Sequence, residues 1–170
     1  MFRVATIPGV VVLLFFPNRI CTFAAAILFS AAAISDYFDG YLARQRGLES
    51  NFGKIMDPLA DKLLVSSTFI MLASLNWVPA WLVCIIVGRE LAVTALRNMI
   101  TEAGGDVGAS NLGKYKTGFQ IAACIPLLFH YTYFGVNLVT IGTFFMWGAL
   151  LFTIWSGVDY FLKYLRLLNS

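Results

Sequence analysis

Charged residues are scarce in this chain of 170 residues, because Asp, Glu, Lys and Arg together make up only 12% of it. A water-soluble domain usually contains about 25% of these residues. Apolar residues account for 59% of the sequence, which is more than one water-soluble core of this length can hide. Both features argue against a soluble protein and predict an integral membrane protein, with lipid around much of its surface.

Cysteine and histidine, two common ligands of zinc, are also rare. Cys21, Cys84 and Cys124 lie in separate apolar runs, without a Cys-x-x-Cys or Cys/His spacing. This pattern argues against a zinc or redox centre, and the three residues are expected to be small buried apolar side chains. The single histidine, His130, is expected to be structural. The formal net charge of +3 is too small to indicate nucleic acid, and no such partner is expected.

The sequence contains six long apolar segments. Most are close to or longer than the length of about 20 residues that crosses the hydrocarbon core of a bilayer, and the first is shorter. The six segments cover approximately residues 4–17, 20–43, 54–75, 78–100, 115–132 and 136–165. The sequence therefore predicts an all-α, polytopic membrane protein with six transmembrane helices, in a single domain over residues 1–170.

The basic residues predict how this bundle is oriented. Of the 12 Lys and Arg residues, all except Arg19 fall toward one side of a six-span arrangement. Basic residues concentrate on the cytoplasmic side of membrane proteins. Both termini and the loops 44–54 and 101–114 are therefore expected in the cytoplasm.

Four aspartates flank the predicted loop between the second and third segments. Asp36 and Asp39 are spaced i, i+3, and Asp57 and Asp61 are spaced i, i+4, so each pair lies on one helix face. Clustered carboxylates repel one another unless cations neutralise them, and their oxygens suit Mg²⁺, Mn²⁺ or Ca²⁺. Two such ions about 3.5–4 Å apart can stabilise both the attacking and the leaving oxygen in phosphoryl transfer. The aspartates therefore predict a divalent-metal site, with two Mg²⁺ or Mn²⁺ ions expected.

Small residues lie one helical turn from these aspartates. Gly40 and Ala43 follow Asp39, and Gly53 precedes Asp57. Because these residues leave space beside the helix backbone, a bulky nucleotide diphosphate could approach closely.

A simpler alternative is that the charged residues only complement helix dipoles, with acids at N-termini and bases at C-termini. This alternative fits Asp57 and Arg44. It fails for Asp36 and Asp39, which come shortly before the C-terminal end of their predicted helix.

The whole string from Asp36 to Asp61, Asp-x2-Asp-Gly-x2-Ala-Arg-x8-Gly-x3-Asp-x3-Asp, resembles the signature of the CDP-alcohol phosphatidyltransferase family at every fixed position. Residues 57–62, 88–97 and 113–117 resemble the bacterial members that use glycerol 3-phosphate as acceptor. The resemblance covers nearly the whole chain.

The resemblance implies the CDP-alcohol phosphotransferase fold, which has six transmembrane helices. It also implies that two copies of the protein usually form a homodimer, surrounded by the lipids of the bacterial inner membrane. It implies that CDP-diacylglycerol binds at the cytoplasmic end of the bundle. Asp36, Asp39 and Asp57 match metal ligands, and Asp61 matches a residue that contacts metal and serves as general base. The residues that match contacts to CDP are Asp39, Gly40, Ala43, Arg44 and Gly53.

One departure from the family concerns the N-terminus. Relatives usually carry Asn-x-x-Thr-x-x-Arg in an interfacial segment before the first span, and Arg3 aligns only with its final Arg. Together with the short first segment, this predicts that an N-terminal interfacial segment is missing, through truncation or a misplaced start.

The implied reaction transfers a phosphatidyl group from CDP-diacylglycerol to an alcohol, with Asp61 taking the hydroxyl proton and CMP leaving. Glycerol 3-phosphate is the expected acceptor, and its phosphate needs cations. Arg89, Arg97, Lys114 and Lys116 lie near the cytoplasmic ends of segments four and five and are predicted to bind it. The alternative for each is that it only sets topology or binds lipid headgroups.

Two other functions are compatible with parts of the sequence. The same chemistry could use inositol phosphate, serine or phosphatidylglycerol as acceptor. A cation transporter could also use an acidic cluster, but transporters commonly show internal repeats and midplane sites.

Glu90 is expected to orient Arg89 or to neutralise a helix charge, and Asp159 to hydrogen-bond across helices or face a cavity.

Overall fold

The computed structural model describes residues 2–46, 51–102, 111–132 and 135–168, with side chains described over residues 5–35, 59–101, 115–132 and 135–162. These ranges contain six α-helices and no β-strand. The helices are α1 (Phe2–Phe15), α2 (Arg19–Arg46), α3 (Asn51–Ser74), α4 (Ala80–Glu102), α5 (Asn111–Leu128) and α6 (Leu138–Leu168). The predicted all-α chain of six helical segments is confirmed.

The helix ends differ from the predicted segments by a few residues. The largest difference is at α5, which begins at Asn111 and ends at Leu128 where the sequence predicted 115 and 132. Hydrophobicity marks the part of a chain that lipid can surround, whereas the backbone hydrogen bonds that define a helix can extend beyond that part, as at the start of α5, or stop within it, as at its end. The apolar pattern therefore locates each helix but not its exposed ends.

Asparagines define two of the turns. The Asn18 side-chain oxygen accepts hydrogen bonds from the backbone N–H groups of Ile20 and Cys21, at 3.1 and 2.8 Å, and so caps the start of α2. Asn76 has a φ of 59°, a left-handed conformation that asparagine tolerates better than most residues. The Trp77 N–H then donates to the Leu72 carbonyl at 3.0 Å, which closes the C-terminal end of α3.

The core runs through the centre of the helical bundle. Helix α1 packs on α2 and α3, α4 packs on α3 and α6, and α5 packs on α2, α3 and α6. Fully buried side chains include Phe29 of α2, Phe69 of α3, Leu82 of α4 and Leu128 of α5. Because α3 packs against both α4 and α5, these three helices can enclose polar groups between them.

Large apolar side chains also cover the outside of the bundle. Ile20 is 81% exposed and Phe144 is 72% exposed, and similar residues occur on every helix whose side chains are described. By length and composition, one stretch of the described chain, the 25-residue Leu138–Leu162, is long and apolar enough to cross a membrane. Ala5–Phe15 and Arg19–Ser35 are shorter apolar helical stretches. That all six helices cross a membrane stays a prediction.

Candidate functional site

The four aspartates lie on two consecutive helices. Asp36 and Asp39 are in α2, and Asp57 and Asp61 are in α3. Asp61 is half-buried and is the one member of the group with a described side chain. The other predicted metal ligands and CDP contacts lie outside the described side chains, namely Asp36, Asp39, Gly40, Ala43, Arg44, Gly53 and Asp57.

A cavity of about 200 Å³ lies beside Asp61, where α3, α4 and α5 converge. Each helix contributes residues at helical spacing, so that one face of each turns toward the cavity. The lining consists of Asp61, Lys62, Val65, Ser66, Ile86, Glu90, Lys116, Thr117 and Gln120. Polar and charged side chains occupy one part of this wall, and Val65 and Ile86 provide an apolar part. With two carboxylates and two lysines, such a lining suits a small polar molecule.

Glu90 is the centre of the polar wall. Its side chain forms an ion pair with the Lys116 ammonium, and the Gln120 amide donates to the same carboxylate oxygen at 3.4 Å. The Arg89 guanidinium lies 3.6 Å from that oxygen. Glu90, Lys116 and Gln120 are 7%, 5% and 4% exposed, so this ion pair is shielded from bulk solvent. A buried charge is tolerated only when it is paired and hydrogen-bonded, and this arrangement meets both conditions.

Arg89 extends from α4 toward α6. Its Nη2 donates to the Ser156 hydroxyl at 2.8 Å, and its guanidinium carbon lies 5.9 Å from the centre of the Tyr160 ring. Gly157 leaves room for this side chain, because a Cβ there would lie 3.2 Å from Arg89 Cγ. The buried Arg89 Nε has no hydrogen-bond partner among the residues the structure describes. Arg89 is therefore held in place between α4 and α6.

Lys62 is tied to the same part of α4. Its ammonium donates to the Thr94 hydroxyl at 2.6 Å, and that hydroxyl donates to the Glu90 backbone carbonyl at 2.6 Å. Both lysines that line the cavity, Lys62 from α3 and Lys116 from α5, are thus attached to the Glu90–Thr94 turn of α4.

The structure brings some of the sequence-predicted residues together and not others. Lys116 lines the same cavity as Asp61. Arg89 is not a lining residue, but its guanidinium lies 3.6 Å from the carboxylate of Glu90, which is one. Arg97 is exposed about two turns further along α4. Lys114 lies outside the described side chains.

The sequence analysis gave no role to six of the cavity residues: Lys62, Val65, Ser66, Ile86, Thr117 and Gln120. The i, i+4 spacing of Lys116 and Gln120 in a mostly apolar helix was a signal that could have found Gln120. Lys62 directly follows Asp61 and is easily taken for a helix-end charge.

His130 lies at the other end of α5 from Lys116. Its ring stacks on the Trp77 ring with 3.7 Å between centroids and an angle of 6°. This location agrees with the expected structural role. Asp159 is half-buried in α6.

Residues 1–155 match the model of the family described as CDP-alcohol phosphatidyltransferase. The chain is 46% identical over 140 residues to the CDP-diacylglycerol–glycerol-3-phosphate 3-phosphatidyltransferase of Bacillus subtilis (strain 168). The matched residues cover 82% of this chain and 72% of that protein. It is 36% identical over 160 residues to the protein of the same name from Rickettsia typhi, covering 94% and 90% of the two chains. The Rickettsia prowazekii protein of that name is also 36% identical over 160 residues, covering 94% and 88%.

Proposed function

Because this chain belongs to the CDP-alcohol phosphatidyltransferase family, we propose that it transfers the phosphatidyl group of CDP-diacylglycerol to glycerol 3-phosphate. The products are phosphatidylglycerophosphate and CMP. The relatives at 46% and 36% identity carry the name of this reaction. The structural observation that supports it best is the cavity between α3, α4 and α5, which brings a carboxylate and a buried cation together.

The two ends of glycerol 3-phosphate need opposite chemistry. Its hydroxyl must lose a proton to become a nucleophile, and its phosphate must be neutralised by cations. Asp61 and Lys116 line one cavity from two different helices, which suits an acceptor that reaches from a base to a cation. Lys62 is a second cation that lines the cavity, and the Arg89 guanidinium lies 3.6 Å from the Glu90 carboxylate. Lys114 and Arg97 would extend the positive charge toward the ends of α4 and α5.

The reaction step follows from these roles. Asp61 takes the proton of the acceptor hydroxyl, and the hydroxyl oxygen attacks the phosphorus that carries the diacylglycerol. The new phosphorus–oxygen bond forms as the bond to the CMP phosphate breaks, and CMP leaves with the electron pair of that bond.

The donor site is proposed on α2 and the first turns of α3. The carboxylates of Asp36, Asp39, Asp57 and Asp61 are hard oxygen ligands that fit two divalent cations, Mg²⁺ or Mn²⁺. Such ions, when bound, neutralise the charge that develops on the diphosphate. The residues proposed to contact the CDP group are Asp39, Gly40, Ala43, Arg44 and Gly53.

The setting proposed for this enzyme is the bacterial inner membrane. The exposed apolar side chains around the bundle and the 25-residue apolar stretch of α6 support a membrane location. The distribution of Lys and Arg supports six spans with the active site facing the cytoplasm. A homodimer is proposed from the family.

CMP release by the purified protein in detergent tests this function. The assay supplies CDP-diacylglycerol and Mg²⁺ and compares glycerol 3-phosphate with inositol phosphate, serine and phosphatidylglycerol. We expect CMP release only with glycerol 3-phosphate. Release with another acceptor would retain the aspartate chemistry but reject the proposed acceptor, and the absence of release with every acceptor would reject the proposed reaction.

A further inference from the structure

The reaction scheme assigns no task to Glu90, although this residue is the best-connected side chain of the cavity. Its carboxylate is almost fully buried and receives the Lys116 ammonium, the Gln120 amide and the nearby Arg89 guanidinium. A buried carboxylate is costly to maintain in an otherwise apolar helix. Glu90 lines the cavity from α4, whereas the four aspartates belong to α2 and α3.

Of the two cationic side chains near Glu90, that of Lys116 has the greater need of a partner that fixes its conformation. It has a flexible four-carbon stem and a point charge, whereas the arginine guanidinium is a planar group that is already oriented. The Lys116 ammonium has three donors, and the ion pair with Glu90 occupies part of that capacity. The ammonium is thereby fixed at the cavity wall, and its remaining donors are available to an anion in the cavity.

We propose that Glu90 is a positioning residue for the acceptor, whose carboxylate holds the Lys116 ammonium where the phosphate of glycerol 3-phosphate binds. The inference rests on the proposed function, because it takes glycerol 3-phosphate as the acceptor. Glu90 is assigned no direct contact with the substrate. It acts by keeping one cation charged and in place before the acceptor arrives, so that binding does not have to order a lysine side chain.

Arg89 depends much less on Glu90 than Lys116 does. Its Nη2 is bound by Ser156 at 2.8 Å, and Gly157 and Tyr160 shape the space around it. Its distance to the Glu90 oxygen, 3.6 Å, is longer than a hydrogen bond. Loss of the Glu90 charge should therefore act on the acceptor mainly through Lys116.

The first test is the steady-state kinetics of Glu90→Gln, which keeps the size of the side chain and removes its charge. We expect the KM for glycerol 3-phosphate to rise about tenfold, the scale of one lost charge-assisted hydrogen bond. The kcat and the KM for CDP-diacylglycerol should change by about twofold or less. An unchanged KM for glycerol 3-phosphate in folded Glu90→Gln would overturn the inference.

The second test separates positioning from a merely structural role. If Glu90 acts through Lys116, adding Glu90→Gln to Lys116→Met should cause no further rise in the KM for glycerol 3-phosphate. A further rise of about tenfold in the double variant would overturn the inference, because Glu90 would then act by another route. Thr101→Val is the matched control on α4, since the exposed Thr101 hydroxyl donates to the Arg97 carbonyl of its own helix and lies outside the cavity lining. This variant should keep the wild-type KM.

Glu90→Asp provides the test if Glu90→Gln does not fold, as judged by its melting temperature in detergent. The shorter carboxylate keeps the charge but reaches less far, so the KM for glycerol 3-phosphate should rise about threefold in Glu90→Asp. Adding Glu90→Asp to Lys116→Met should leave the KM of the Lys116→Met protein unchanged. An unchanged KM in Glu90→Asp would then overturn the inference. The outcomes distinguish the two proposals. If the wild-type protein releases no CMP, the proposed function is rejected. If the wild-type protein is active and the Glu90 variants keep its KM for glycerol 3-phosphate, only the positioning role is rejected.

Discussion

Arg89 and Arg97 lie about two turns apart on α4, and both were predicted from the sequence to bind the acceptor phosphate. Their surroundings differ. The Arg89 side chain is 11% exposed and is held by Ser156, whereas Arg97 is exposed to its surroundings. A charge in a shielded site interacts more strongly with an anion than a solvated charge does. The two arginines are therefore expected to contribute unequally to acceptor binding.

Replacing each arginine with methionine measures this difference. Arg89→Met should raise the KM for glycerol 3-phosphate about tenfold or more, because a buried cation near the cavity is lost. Arg97→Met should raise it by about threefold or less. Steady-state kinetics with CDP-diacylglycerol held at saturation provide the measurement. Equal effects of the two substitutions would contradict the inference that the shielded Arg89 contributes more to acceptor binding than Arg97 does.

At the residue scale, the sequence predicted single ionisable residues better than their partners. Asp61, Arg89 and Lys116 were recognisable because charges stand out in apolar segments. The ion pair of Glu90 with Lys116 was not predicted, since the two residues belong to different helices. Which side chains meet there depends on how α4 and α5 are rotated against α3, and a periodic pattern in one helix does not fix that rotation.

At the scale of helices, the proposed chemistry depends on α2 and α3 together. Each helix contributes two aspartates, Asp36 and Asp39 from α2 and Asp57 and Asp61 from α3. Carboxylates from two helices can be brought together when cations offset their repulsion. We therefore expect that divalent metal is needed for the α2–α3 pair to bind the donor.

Metal removal tests this requirement. Treatment with EDTA should abolish CMP release, and Mg²⁺ or Mn²⁺ added in excess should restore it. Asp57→Ala should stay inactive at any Mg²⁺ concentration, because a proposed ligand is missing. Full activity in EDTA would contradict the metal-assisted scheme.

Helices α5 and α6 are held together by a close approach. A Cβ on Gly142 of α6 would lie 2.6 Å from Leu127 Cγ and 3.0 Å from the Leu127 backbone nitrogen. The backbone contact means that no side-chain rotation alone could make room. Glycine at this position therefore sets the distance between the two helices, and α5 carries Lys116 on the same rigid element.

Gly142→Leu should destabilise the protein by about 1–3 kcal/mol, the usual cost of overpacking. The measurement is the melting temperature in detergent, which should fall by about 2 °C or more. Gly118→Ala is the control, because a Cβ on Gly118 meets nothing within 4 Å and alanine favours a helix. A melting temperature of Gly142→Leu at or above that of Gly118→Ala would contradict the close packing of α5 and α6.

At the scale of the whole molecule, the fold was largely predictable because apolar segments and their breaks are so clear. The six segments correspond to α1 through α6, and turns such as the one at Asn76 fall where the apolar runs stop. Lipid allows apolar residues on the outside as well as in the core, so hydrophobicity located the helices but not their buried faces. The cavity of α3, α4 and α5 depends on those faces and emerged only from the structure.

The most direct test of the account is the transfer of labelled glycerol 3-phosphate into extractable lipid by the wild-type protein and by Asp61→Asn. Asp61 is the described side chain that joins the aspartate string to the acceptor cavity, and asparagine keeps its size without its basicity. We predict labelled lipid that depends on CDP-diacylglycerol and Mg²⁺ in the wild type, and a loss of about 100-fold or more in folded Asp61→Asn. Labelled lipid formed at the wild-type rate by Asp61→Asn would contradict the central claim that this cavity is where the acceptor hydroxyl is activated.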